Sequence, residues 1–177
     1  RQYQHLTDSL RGKDCRAALQ PALAHARSPL FDVAVSPDGR LEFLRGITNC
    51  AFESEDDATA FEAAELWVAR TPGERWPQII RMHYGFRFDR PAASLEALDV
   101  LARGWPEDVR SIGLSMLGRL RRAADEADEK GDRSLALYES LLRAGYQPEA
   151  PYNDDFLRMA HARLLLDRGR VDEARVR

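Results

Sequence analysis

The chain has 177 residues, 44% hydrophobic and 31% charged, enough apolar content for a packed core and too much for a disordered tail. Its 26 basic and 29 acidic residues nearly cancel to a net charge of -3, which leaves no overall basic field to attract nucleic acid or anionic lipid. The longest apolar runs fall far short of the roughly 20 residues that a membrane-spanning helix requires, and no signal-type segment opens the chain, so direct membrane insertion is not expected.

Along most of the chain apolar residues recur at three and four, as in Leu114, Leu117, Leu120, Ala124 and Ala127 or in Leu135, Tyr138 and Leu142. That is the period of an amphipathic helix. In chain order it predicts helices near 2–11, 13–27, 38–53, 55–70, 75–88, 90–103, 107–129, 132–145 and 153–168, with a tenth starting near 170. The best strand signal, Phe31-Asp-Val-Ala-Val35, is short and reads as a loop with extended character. Ser36-Pro37 and Asp89-Arg90-Pro91 place proline near a first turn, and Asn153 precedes two aspartates that suit a helix N-terminus. Gly73, Gly104 and Gly145 mark stops, where a left-handed residue costs glycine little. The expectation is an all-α protein whose short connections fold successive helices into antiparallel hairpins.

Three helix ends also align: Glu65 to Glu74, Leu98 to Glu107 and Ser140 to Glu149, with Pro72 and Pro106 34 residues apart and Pro148 a further 42 on. Gly12, Gly131 and Gly169 are each followed five residues later by Ala17, Ala136 and Ala174, and Pro29 and Pro148 close the first two after seventeen. Glycine lets the chain reverse, alanine would allow close approach where two helices cross, and proline stops the second helix.

These offsets resemble the tetratricopeptide repeat family, whose helix-turn-helix unit of roughly 34 residues has small residues at the crossing, glycine in the turn and proline at the end. Residues 160–174 match best through Ala162, Leu165, Gly169 and Ala174, and residues 117–150 next through Leu120, Ala124, Ala127, Gly131, Ala136 and Pro148. Residues 41–74 carry Leu44, Ala60, Trp67 and Pro72 but place Glu55 where glycine is expected, and residues 75–106 have Arg81 or Met82 where a small residue belongs. The resemblance implies one repeat domain over 1–177, a right-handed superhelical solenoid of about five hairpins near 1–29, 38–73, 75–106, 107–149 and 153–177. The last hairpin stops in its second helix, so the sequence is expected to be a piece of a longer protein or to close with a short irregular end.

No catalytic constellation emerges. His5, His25, His83 and His161 fall on separate predicted helices without zinc-ligand spacing. There is no phosphate-cradling glycine loop or nucleophile elbow, and no cofactor is implied. The carboxylate runs at Glu53, Glu55, Asp56 and Asp57 and at Asp125, Glu126, Asp128 and Glu129 read as solvated surface. What the resemblance implies instead is a concave face lined by the first helix of each hairpin and suited to a protein or peptide. The family's groove positions fall on Glu42, Arg45, Asn49 and Phe52, on Trp76, Ile79, His83 and Phe86 or Arg87, and on Arg121, Asp125 and Asp128. Aromatic anchors with arginines suit a protein-binding surface, although inter-helix packing is the competing role for Trp76 and Phe86.

The same array places Cys15, early in the second helix of the first hairpin, beside Cys50, late in the first helix of the next. The pair is expected either to form a disulfide, which implies the periplasm or another oxidising compartment, or to pack as two buried thiols, which suits the cytoplasm. A chain starting at Arg1 fits removal of a secretory signal or a cloned fragment equally. Lysine occurs only at Lys13 and Lys130, an arginine- and alanine-rich usage that points to a GC-rich bacterial genome. The expected function is that of a noncatalytic scaffold of a bacterial exported or envelope protein. The alternatives are a cytoplasmic ligand-sensing array and an accessory segment that positions substrate for a larger enzyme. No oligomeric state is implied.

Overall fold

Every regular element of the computed structural model is helical, with no strand among the residues it describes, 2–12, 15–126, 132–147 and 154–175. Ala127, Asp128, Glu129, Gly131, Pro148, Glu149 and Asn153, all used in the sequence-based expectations, lie outside the described residues. The chain divides into two units, Arg1–Tyr84 and Gly85–Arg177. The division falls inside the stretch 75–106, so the two helices expected to pair there belong to different units.

The first unit contains α1 (Gln2–Leu10), α2 (Arg16–Arg27), α3 (Pro29–Ala34), α4 (Pro37–Glu53), α5 (Asp57–Arg70) and α6 (Arg75–Tyr84). Their starts follow from local chemistry. The Ser28 and Ser36 side chains accept from the backbone N–H groups of Leu30 and Gly39, and the following prolines open α3 and α4. Asp56 opens α5 by accepting from the Thr59 N–H at 3.1 Å and its hydroxyl at 2.7 Å. Ala18, Leu19, Ala22, Leu23 and Ala26 form the buried stripe of α2, which packs on Phe43, Leu44 and Ile47 of α4 and on Ala60, Ala63 and Trp67 of α5. Residues 31–35 do not form the extended loop expected of them. Pro29 and Ser28 start a helix, and Phe31 and Val35, one turn apart, are both buried while Val33 between them is 85% exposed.

The second unit contains α7 (Pro91–Gly104), α8 (Pro106–Arg110), α9 (Leu114–Glu126), α10 (Asp132–Ala144), α11 (Asp154–Asp167) and α12 (Val171–Arg175). The single helix expected over 107–129 is two, α8 and α9. Ser111 ends the first, Ile112 turns inward to be buried, and Gly113 offers no side chain to favour continuation. α10 is central, packing against α7, α8, α9 and α11 through Leu135, Leu137, Tyr138 and Leu141. The Ser140 hydroxyl donates to Asp99 of α7 at 3.0 Å, and Arg143 donates to the same carboxylate at 3.2 Å.

Two of the roles expected of glycine and alanine differ in the structure. Left-handed backbone occurs at Gly145 (φ 68°) and Gly169 (φ 71°), but not at Gly73 or Gly104, because Thr71 and Trp105 cap α5 and α7 in other conformations. Ala17 and Ala136 are exposed, so close helix approach falls instead on fully buried Ala22, Ala26, Ala60, Ala63, Ala64, Ala97 and Ala124.

Candidate partner-binding surfaces

Cys15 and Cys50 are joined by a disulfide with Cα atoms 5.9 Å apart. It ties the start of α2 to the last turn of α4, and both residues are buried, at 3% and 1% exposure. One surface of the first unit therefore grows from an α4 fixed at its C-terminal end.

The core stripe of α4 runs through Phe43, Leu44, Ile47, Thr48 and Ala51, which leaves Glu42, Arg45 and Asn49 on the opposite, exposed side. Glu42 is paired with Arg11, just past the end of α1. The Arg45 guanidinium lies 5.9 Å from the ring centre of Trp67, and Asn49 is exposed. At the end of this face half-buried Phe52 meets α6: its ring is 6.2 Å from that of Trp76, edge to face, and 6.0 Å from that of Tyr84. Trp76 is 44% exposed, whereas Trp67 is 1% exposed. Ile79 is half-buried and His83 is exposed. Desolvation of the His83 imidazole still holds its pKa below the ordinary histidine value, which favours the neutral ring. Arg81 and Met82, the two candidates for the expected small position, are both buried, and Arg81 pairs with Glu65 of α5 and with Gln78.

Phe86 and Arg87 belong to the second unit. Phe86 is half-buried, and exposed Arg87 sits 5.9 Å from the Phe88 ring centre. Arg121 and Asp125 of α9 come together on a half-open pocket of about 510 Å³ that α10 and α11 complete. Arg121 hydrogen-bonds the Tyr138 hydroxyl, and burial pushes the Tyr138 pKa up, so this phenol stays protonated. Asp125 accepts from the Ser134 hydroxyl at 2.8 Å. The other wall carries Met159, Arg163, Leu164 and Asp167 of α11.

The structure thus brings Phe52 and Trp76 into ring contact and sets Arg121 and Asp125 on one pocket, while Arg45, Asn49 and His83 are exposed residues of α4 and α6 outside these contacts. Sequence reasoning missed Tyr84 and the entire α11 wall. The signal for the wall was present: Arg163 and Asp167 repeat the basic-then-acidic spacing of Arg121 and Asp125. Among the described residues no three His, Cys, Asp or Glu side chains converge on a common metal position, and no helix is long and apolar enough to cross a membrane. No family model, curated protein or solved structure matches the chain.

Proposed function

We propose that this chain is a noncatalytic scaffold of tetratricopeptide-like hairpins, stacked as a right-handed solenoid, that binds a protein partner in an oxidising compartment such as the bacterial periplasm. The observation that carries the reading is Trp76, 44% exposed yet braced edge to face by Phe52. A tryptophan held in place loses little freedom when a partner covers it, and burying its remaining surface is worth about 2–3 kcal/mol. Exposed Arg45 and Asn49 on α4 and exposed His83 on α6 add polar groups to the same two helices, of the kind protein interfaces use to fix register. The buried Cys15–Cys50 disulfide supports export, because cytosolic thiols are kept reduced.

The test replaces Trp76, Arg45 or His83 in turn by a photo-crosslinking amino acid in cells of the native host. One protein captured reproducibly from Trp76, and lost from the Arg45 and His83 positions when Trp76→Ala is added, is the expected result. Absence of any adduct from all three positions would overturn the reading. Alkylation in denaturant of protein taken directly from cells tests the compartment: without a reductant Cys15 and Cys50 should resist labelling, and labelling of both would defeat export.

A further inference from the structure

Helix α11 carries two apolar stripes, and the core covers only one. Leu157, His161 and Leu165, each four residues on from the last, are 1% exposed and form the buried stripe of a helix that packs on α10. Met159 is 65% exposed and Leu166 52%. Seven residues bring these two back to within about 20° of one line along the helix, on the side roughly opposite the buried stripe. Half-buried Ala162 lies between them. Large apolar side chains aligned on the solvent side of a helix mark a face that a further surface covers.

The order of residues on this face is self-complementary when the helix is reversed. A two-fold axis crossing α11 between Ala162 and Arg163 lays a second copy of the helix antiparallel to the first. Met159 then meets Leu166 of the second copy at both ends, and the two Ala162 side chains meet at the middle, small enough to let the helices approach. Exposed Arg163 and Asp167 run along one flank of the stripe, and neither makes an ion pair or hydrogen bond among the described residues. In an antiparallel two-fold pair the same flanks of the two helices meet. Arg163 therefore lies about 7.5 Å along the axis from Asp167 of the second copy, within the reach of a guanidinium, and the symmetry makes this contact twice. A parallel pair would instead set Arg163 level with Arg163 and Asp167 level with Asp167, which like-charge repulsion opposes.

We infer that α11 is the surface through which two copies of this chain associate, antiparallel and two-fold symmetric. The occupant is a second copy because this one helix supplies both members of every contact, apolar and charged. The inference does not depend on the Trp76 surface, which belongs to the other unit. One 14-residue helix from each copy makes a contact smaller than the roughly 1,200 Å² of stable complexes, so the dimer is weak, with a dissociation constant on the order of 100 μM.

Sedimentation equilibrium of the full chain from about 10 μM to about 1 mM tests it, with a reversible monomer–dimer equilibrium as the expected result. Arg163→Asp and Asp167→Arg each bring like charges together, and each variant alone should dimerise about ten-fold more weakly than the parent. An equimolar mixture of the two should recover the parental affinity, because in the mixed dimer every reversed charge meets an opposite one. Met159→Ala with Leu166→Ala should abolish association, and Trp76→Ala should leave it unchanged. The α11 side chains replaced are all exposed, so unchanged helical circular dichroism checks that these variants fold. A chain that stays monomeric at about 1 mM, a dimer indifferent to either charge reversal, a mixture that fails to recover, or a dimer lost in Trp76→Ala would overturn the inference.

Discussion

Glu55 shows how a single backbone angle can be legible in the wrong letter. The tetratricopeptide resemblance leads one to expect glycine in the turn between α4 and α5, and the chain places glutamate there, yet its φ is 56°, the left-handed conformation that glycine adopts freely. A side chain in that region costs roughly 1–2 kcal/mol, and glycine recovers this at the expense of about 0.5–1 kcal/mol of extra unfolded-state entropy. Glu55→Gly should therefore stabilise the chain by about 0.5–1 kcal/mol, read as a higher midpoint in thermal or urea unfolding. The candidate site divides along similar lines. Arg45, Asn49, Phe52, Trp76 and His83 were named as groove positions that the tetratricopeptide resemblance implies, and of these the structure brings Phe52 and Trp76 into contact. Tyr84 was not named, because its contact with Phe52 depends on how α4 and α6 approach, and no spacing encodes that.

Helix α3 was the element most at odds with expectation. Alternation at Phe31, Val33 and Val35 fits a strand, but the outer two also fit one helical turn, and five residues cannot separate the two periods. Packing decides it. Phe31 sits edge to face against His25 and lies 5.4 Å from Phe43, while the Arg70 guanidinium is 5.4 Å from its ring centre. Asp32 clamps the helix from outside, accepting from Arg70 Nε at 2.6 Å and Nη2 at 3.2 Å and from Arg40 at 3.2 Å. The Arg70 hydrogen bond, with its charge and Arg40 beside it, holds the Asp32 carboxyl below its ordinary pKa. A carboxyl lowered in the folded state contributes fully above its unfolded value and loses that contribution as pH falls through the folded one. At neutral pH Asp32→Asn should cost about 1 kcal/mol, kept small because the side chain is 46% exposed. The gap between variant and parent in urea unfolding should shrink toward zero below the ordinary carboxylate range. A gap that persists there would assign the clamp to packing rather than charge.

At the largest scale the disulfide constrains the first unit most. It closes a loop over 35 residues of sequence, for which the loss of unfolded-chain entropy corresponds to about 4 kcal/mol. Replacing both Cys15 and Cys50 by alanine should lower unfolding free energy by that order, with amide exchange accelerating throughout α2, α4 and α5. A change under about 1 kcal/mol would mean that the core of Leu19, Leu23, Phe43, Leu44, Ile47 and Trp67 holds these helices unaided.

Periodicity, caps and prolines were sufficient for helical content, for the limits of α4, α5, α7 and α10 to within two residues, and for the nearness of Cys15 and Cys50. These depend on contacts within a turn or between helices near in sequence, with the short α3 lying between the two that carry Cys15 and Cys50. The helical form of α3, the break between α8 and α9, the division of the chain after Tyr84, and the pocket that α9, α10 and α11 build were settled by packing between segments. Each of those outcomes turns on which apolar surface finds a partner, and a linear pattern that fits two periods or two neighbours equally well does not contain that choice.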